Sequence, residues 1–208
     1  MTNVKGPKAF ADYINCLSIL ESNTAQLYRD LANQTEIPLA RTLLLNIAID
    51  STKHATILQG IRNSLATSKK DPKDCEKNLG DVWRTVDYLK KEVSEKQNGN
   101  KLELSQLAEK LSALESRLGE EYHVFVQMKN LEYLSKEINQ FYEVKLDSVR
   151  RIINSIIRDE EHHRELLSTI KQLLSRDMKE NLDNTPMMRF QSPDAWIQTP
   201  NLDSHEEQ

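Results

Sequence analysis

The chain has 208 residues, of which 29% are charged and 38% hydrophobic, with a formal net charge of −4 and only five glycines and six prolines. That length allows one domain of good size or one domain with appendages, and the composition favours a mostly helical, water-soluble protein with much exposed charged surface. With no run of five like charges, no apolar run of about 18 residues and no signal-peptide pattern, neither nucleic acid nor membrane is an expected partner, and the cytoplasm is the expected location. Cys16 and Cys75 stand far apart and outside any C-x-x-C, which argues against a disulfide scaffold or a thiolate metal site.

In chain order, Pro7 suits a first helical position, and a helical pattern runs from there to about Asn33. The stretch QTEIPLA breaks it, and Pro38 opens a second helix to about Thr67, followed by a linker over 68–74. Val82, Val86, Leu89 and Val93 recur at helical spacing as far as the Asn-Gly-Asn at 98–100. Leu104, Leu107, Leu111, Leu114 and Leu118 then alternate by three and four, a seam that needs a helical partner. The preceding segment is the obvious one, which makes 78–118 a helical hairpin attached to the main body; a contact between copies of the chain is the alternative. From Glu120 to Lys179 there is neither glycine nor proline, so two helices are expected with a turn near Glu143–Ser148, where Asp147-Ser148 can cap the second. The last stretch, 180–208, holds three prolines and no periodicity and is expected to be a flexible tail, its Phe190 and Trp196 available to a partner.

The segment IIRDEEHHRELL, 156–167, places five ionisable residues inside an apolar pattern. At about 100° per residue, His163 shares a face with Val149, Ile152, Ile156, Leu167, Ile170 and Leu174. Asp159 lies on the same side and Glu160 borders it, whereas Glu161 and His162 point away. His54 is framed in the same way by Ala40, Leu43, Ile47, Leu58 and Ile61, with Asp50 one turn back. Glu21 is framed by Phe10, Ile14, Leu17, Tyr28 and Ala32. One histidine on an apolar face is ordinarily a hydrogen-bonded core residue. Several acids and two histidines on matching faces form a different situation, because buried charges need partners and one cation would neutralise several at once.

These residues resemble those of the ferritin-like superfamily of ferritins, rubrerythrins and related carboxylate di-iron proteins. Its fold is a four-helix bundle with one Glu from each of two helices and a Glu-x-x-His from each of the other two. The resemblance spans about 8–67 and 120–178. It implies an antiparallel bundle made of a first helix pair (1–67) and a second pair (120–179), with an inserted hairpin (68–119) and the tail (180–208). By that resemblance Glu160 is a bridging carboxylate and His163 a ligand, while Asp159 is the outer carboxylate that orients a metal-bound histidine. Asp50 and His54 match the ends of the second motif, but Ser51 stands where the bridging Glu belongs. Glu21 fits the first-helix carboxylate, 33 residues before His54. The same separation counted back from His163 arrives at Asn130, with Gln127 facing the core and Glu132 at its edge; Glu132 is the candidate ligand there.

The ligand set implied is therefore Glu21, His54, Glu160 and His163, with Asp50 and Glu132. It would hold one or two iron or manganese ions per chain at an incomplete site, with dioxygen or peroxide activation as the family's chemistry. Without the paired C-x-x-C motifs of rubrerythrins, such chemistry would draw on an external electron donor. Tyr28 is a core tyrosine or a redox-active one. The alternative is a non-catalytic interaction bundle whose inward Asp, Glu and His pair in a hydrogen-bonded network, as Ser51 and Asn130 would favour.

Overall fold

The computed structural model describes residues 7–64, 72–96, 104–127 and 146–180, and among these every regular element is an α-helix. They are α1 (Pro7–Gln34), α2 (Pro38–Ser64), α3 (Pro72–Leu79), α4 (Asp81–Lys96), α5 (Leu104–Gln127) and α6 (Leu146–Glu180). Three of the six open on proline, whose missing N–H falls among the donors a helix start leaves unpaired in any case. Gly80 separates α3 from α4 at φ 56°, and its N–H caps α3 by donating to the Glu76 carbonyl at 2.8 Å. That left-handed cap suits glycine, which has no Cβ to clash. Among the described residues no helix is long and apolar enough to cross a membrane.

α1 packs along α2, and α5 along α6; α2 and α6 also touch, while α3 and α4 lie on α1. Polar contacts between the two pairs fix the direction of the helices that face each other across them. Tyr28 meets Glu115 while Tyr122 meets Glu21, so α1 and α5 run in opposite directions. Asp159 reaches His54 while Asp50 reaches His163, so α2 and α6 do likewise.

Three sequence expectations change. Residues 72–74 open α3 instead of continuing a linker. The leucines of α5 face chiefly α6 rather than the preceding segment, and α5 is continuous through Gly119-Glu120, where a boundary between hairpin and bundle is expected. α4 does bury Val82, Val86, Leu89 and Val93, and it touches α5 at its outer edge through Lys110 with Glu92 and Arg117 with Thr85. Third, Cys16 and Cys75 form a disulfide. α3 folds back on α1 and brings their Cα atoms to 5.0 Å, so a sequence separation of 59 is no obstacle. The turn expected at 143–148 starts, and the tail at 181–208 lies, outside the described residues; α6 begins at Leu146.

The buried seams of α2 and α6 have the same spacing. Ala40, Leu44, Ile47, Ser51, His54 and Leu58 alternate by four and three, and so do Ile153, Ile156, Glu160, His163, Leu167 and Ile170. A strict three-and-four alternation has a period of 3.5 residues, as in helices that wind around each other, and not the 3.6 of an isolated straight helix. The difference decides which neighbours are buried. Ile153 is inside and Ile152 is 39% exposed, and Leu44 is inside while Leu43 is only partly buried.

Candidate metal centre

Four helices each deliver ionisable side chains to one buried place: Glu21 from α1, His54 from α2, Glu115 from α5, and Glu160 with His163 from α6, all essentially inaccessible to solvent. They make two overlapping groups in which one ligand atom per residue lies within 4.8 Å of the others: Glu21, His54 and Glu160, and Glu115, Glu160 and His163. Glu160 belongs to both. One of its oxygens is 3.1 Å from His54 Nδ1 and the other 3.4 Å from His163 Nδ1. The ring centroids of the two histidines are 6.0 Å apart.

Close approach is not the same as pairing here. Both Glu160 oxygens, Glu21 Oε2 and His54 Nδ1 are buried without a hydrogen bond, although oxygens and nitrogens stand within ion-pair reach. Buried polar atoms are satisfied in the great majority of cases, so a knot of unsatisfied ones needs an explanation, which an ion held between them would supply.

Around this centre the contacts cross between the helix pairs. Tyr28 on α1 donates its hydroxyl to Glu115 on α5, and Tyr122 on α5 donates to Glu21 on α1. On the outer side, Asp159 of α6 sits 3.0 Å from His54 Nε2, and Asp50 of α2 sits 3.5 Å from His163 Nε2. Lys53 spans both aspartates, at 2.7 Å from Asp50 and 2.8 Å from Asp159. Each imidazole thus turns Nδ1 inward and Nε2 toward a carboxylate; His54 Nε2 is hydrogen-bonded to Asp159, the kind of outer contact that fixes a ring and its tautomer, whereas His163 Nε2 is near Asp50 without a hydrogen bond. Ser18 of α1 donates to the Ala55 carbonyl at 3.0 Å, which locks α2 beside His54.

The electrostatics follow from crowding three carboxylates in a dry interior. Burial, with the charges of Glu115 and Glu21 added, pushes Glu160 up to about 8. Burial opposes charge on His54, but Glu160 and Glu21 outweigh it and lift its pKa to about 11. Against the same opposition Glu115 and Glu160 lift His163 to about 10. Burial would raise Glu115, yet the His163 and Glu160 contacts hold it below the ordinary carboxylate value. Asp159 is likewise held down by His54 and Lys53 in spite of partial burial. Burial first and the carboxylates second push the Tyr28 and Tyr122 phenols well up. In the metal-free protein, protons on the two imidazoles offset the acids.

Of the residues expected from sequence, Glu21, His54, Glu160 and His163 come together, with Asp50 in the outer contact to His163. Glu132 and Asn130 lie outside the described residues, and the α5 carboxylate at the centre is Glu115, which sequence reasoning missed. Two signals could have found it. Leu111, Glu115, Leu118 and Tyr122 form a second alternating line, which shares Leu111 and Leu118 with the leucine seam. In addition, Glu115 precedes Tyr122 by seven residues, as Glu21 precedes Tyr28. The separation of 33 fails because Glu115 and His163 are 48 positions apart, 15 more than Glu21 and His54.

Comparison with known proteins adds no family: no protein-family model matches the chain, and no curated protein and no solved structure matches it.

Proposed function

We propose that the chain is a ferritin-like metal-binding protein that holds iron or manganese between two antiparallel helix pairs of a four-helix bundle. One observation supports this above all: two overlapping carboxylate–histidine triads, joined at Glu160, with unpaired buried lone pairs at their centre. Glu21, His54 and Glu160 would hold one ion, and Glu115, Glu160 and His163 a second. Mixed imidazole and carboxylate donors suit divalent iron or manganese. Bound there, such ions would supply redox chemistry toward dioxygen or peroxide, with electrons from an external donor.

The chain's own residues have definable parts in that function. Tyr28 and Tyr122 fix the terminal carboxylates by hydrogen bonds from the opposite pair. Asp159 and Asp50 orient the imidazoles, and Lys53 holds the two aspartates in place. A cytoplasmic site of action remains the sequence expectation; the Cys16–Cys75 disulfide weighs toward an oxidising compartment.

A second reading, a non-catalytic interaction bundle, draws on the short contacts from His163 Nδ1 to Glu115 and from His54 to Asp159, both 3.0 Å, and on Ser51. Elemental analysis of protein purified without chelator separates the two. The expected result is one or two iron or manganese ions per chain, abolished or halved in His163→Ala. A metal-free wild type that takes up neither ion on incubation would refute metal binding.

A further inference from the structure

The two triads are not built alike, and the difference lies at one position. Three residues before His163 stands Glu160; three residues before His54, at the matching place in the α2 seam, stands Ser51. Ser51 is as deeply buried as Glu160. Its side chain is shorter than glutamate by one methylene and the carboxylate, so the α2 seam carries no carboxylate at the place where the α6 seam carries Glu160.

The charges are unequal as well. Two divalent cations carry four positive charges, and with both imidazoles neutral as ligands the centre offers three negative ones, from Glu21, Glu115 and Glu160. A net charge in a dry interior is costly, and nothing on α2 supplies the fourth negative group inside the centre, since Asp50 is turned outward between Lys53 and His163. The missing charge and the missing pair of oxygens coincide at Ser51.

We infer that the doubly loaded centre takes up a small external carboxylate on the Ser51 side. The inference rests on the metal-binding reading above. It makes the carboxylate end of a small acid the recognised group, so a substrate of this centre would be bound by its carboxylate. It also makes the second ion depend on the anion: each strengthens the other's binding by the same factor, since coupling between two ligands is reciprocal.

The test is calorimetric titration of Mn(II) into the full chain at constant ionic strength, in chloride and in millimolar acetate. In wild type, acetate at ten times its dissociation constant is expected to tighten binding of the second Mn(II) about tenfold. Ser51→Ala, which adds neither bulk nor charge, retains that response. Ser51→Glu, which brings its own carboxylate, binds the second ion tightly in chloride and ignores acetate. Ser51→Gln brings the bulk of a glutamate side chain without its charge, so it keeps a weak second ion and also ignores acetate; it serves if Ser51→Glu fails to fold by circular dichroism. Two Mn(II) bound with no effect of acetate on wild type would overturn the inference and leave metal binding intact. An equal acetate response in Ser51→Gln and wild type would place the anion elsewhere and also overturn it. No Mn(II) binding in either medium would remove both readings together.

Discussion

At the scale of single residues, the centre is held by contacts that each have a measurable worth. A hydrogen bond to a charged group contributes about 1.5–3 kcal/mol, so Tyr122→Phe should lower the melting temperature of the metal-free protein by about 5 °C, with a smaller loss in Mn(II)-saturated protein, where an ion takes over the Glu21 carboxylate. Equal losses in both states, read by differential scanning calorimetry, would mean that Glu21 meets no ion. Glu115→Ala should remove at least one metal equivalent per chain by elemental analysis; an unchanged content would exclude Glu115 from the ligand set. The pH response has a definite sign. His54 and His163 are raised to about 11 and about 10, above their ordinary value, so their stabilisation of the metal-free fold is complete below about 6.5 and is lost as pH rises through those values. Glu160, raised to about 8, works in the same direction between its ordinary value and about 8, because the folded chain keeps a proton that the unfolded chain releases. Under the proposed function a metal would have to displace these same protons, so the upward shift in melting temperature on adding Mn(II) should grow from pH about 6 to pH about 9. A shift that shrinks over that range would contradict the assignment of the two imidazoles as ligands.

At the scale of helices, the disulfide between Cys16 and Cys75 ties α3 to α1 within two turns of Glu21. Closing a loop of this length restricts the unfolded chain by about 4 kcal/mol in the chain-entropy account, which for a chain of this size corresponds to a fall of about 10 °C on reduction. Mass spectrometry of an unreduced digest should show the Cys16 and Cys75 peptides joined; separate thiol peptides would contradict the link. How much could be read without coordinates differs from helix to helix. The starts of α1 and α2 were legible because proline and apolar spacing are local signals. His54, Glu160 and His163 were legible because each interrupts an apolar stripe on its own helix. Glu115 was not, because it adjoins the leucine line of α5 and looks like that seam's polar neighbour until the second line through Tyr122 is drawn. The pairing of Cys16 with Cys75, and of α5 with α6 instead of α4, depends on how helices distant in sequence are brought together, and no local pattern encodes that. Ile152 was misplaced by a smaller cause, the use of a 3.6-residue period on a helix that packs with one of 3.5.

At the scale of the whole molecule, the described core is two helix pairs carrying the same pattern. Glu21 with Tyr28 and Asp50 with His54 are matched by Glu115 with Tyr122 and Asp159 with His163, and each tyrosine and each aspartate reaches across to the other pair. Under the proposed function an ion bound to the folded chain alone stabilises it by mass action, about 2.7 kcal/mol at one hundred times the dissociation constant. The melting temperature should therefore rise by about 5–10 °C with saturating Mn(II) at neutral pH, and Mg(II), which prefers oxygen ligands and retains its water, should do much less. Equal responses to the two ions would point to surface binding.

The sharing of Glu160 is not even-handed. Glu115, Glu160 and His163 all come from α5 and α6, whereas Glu21 and His54 come from α1 and α2 and borrow Glu160 from the other side. A cation in the former group would sit wholly within one half of the protein, but a cation in the latter would rivet the halves to each other. Whenever the halves drift apart, the riveting ion is the one whose cage opens, so it should be the first to exchange with solution and the last to be buried again.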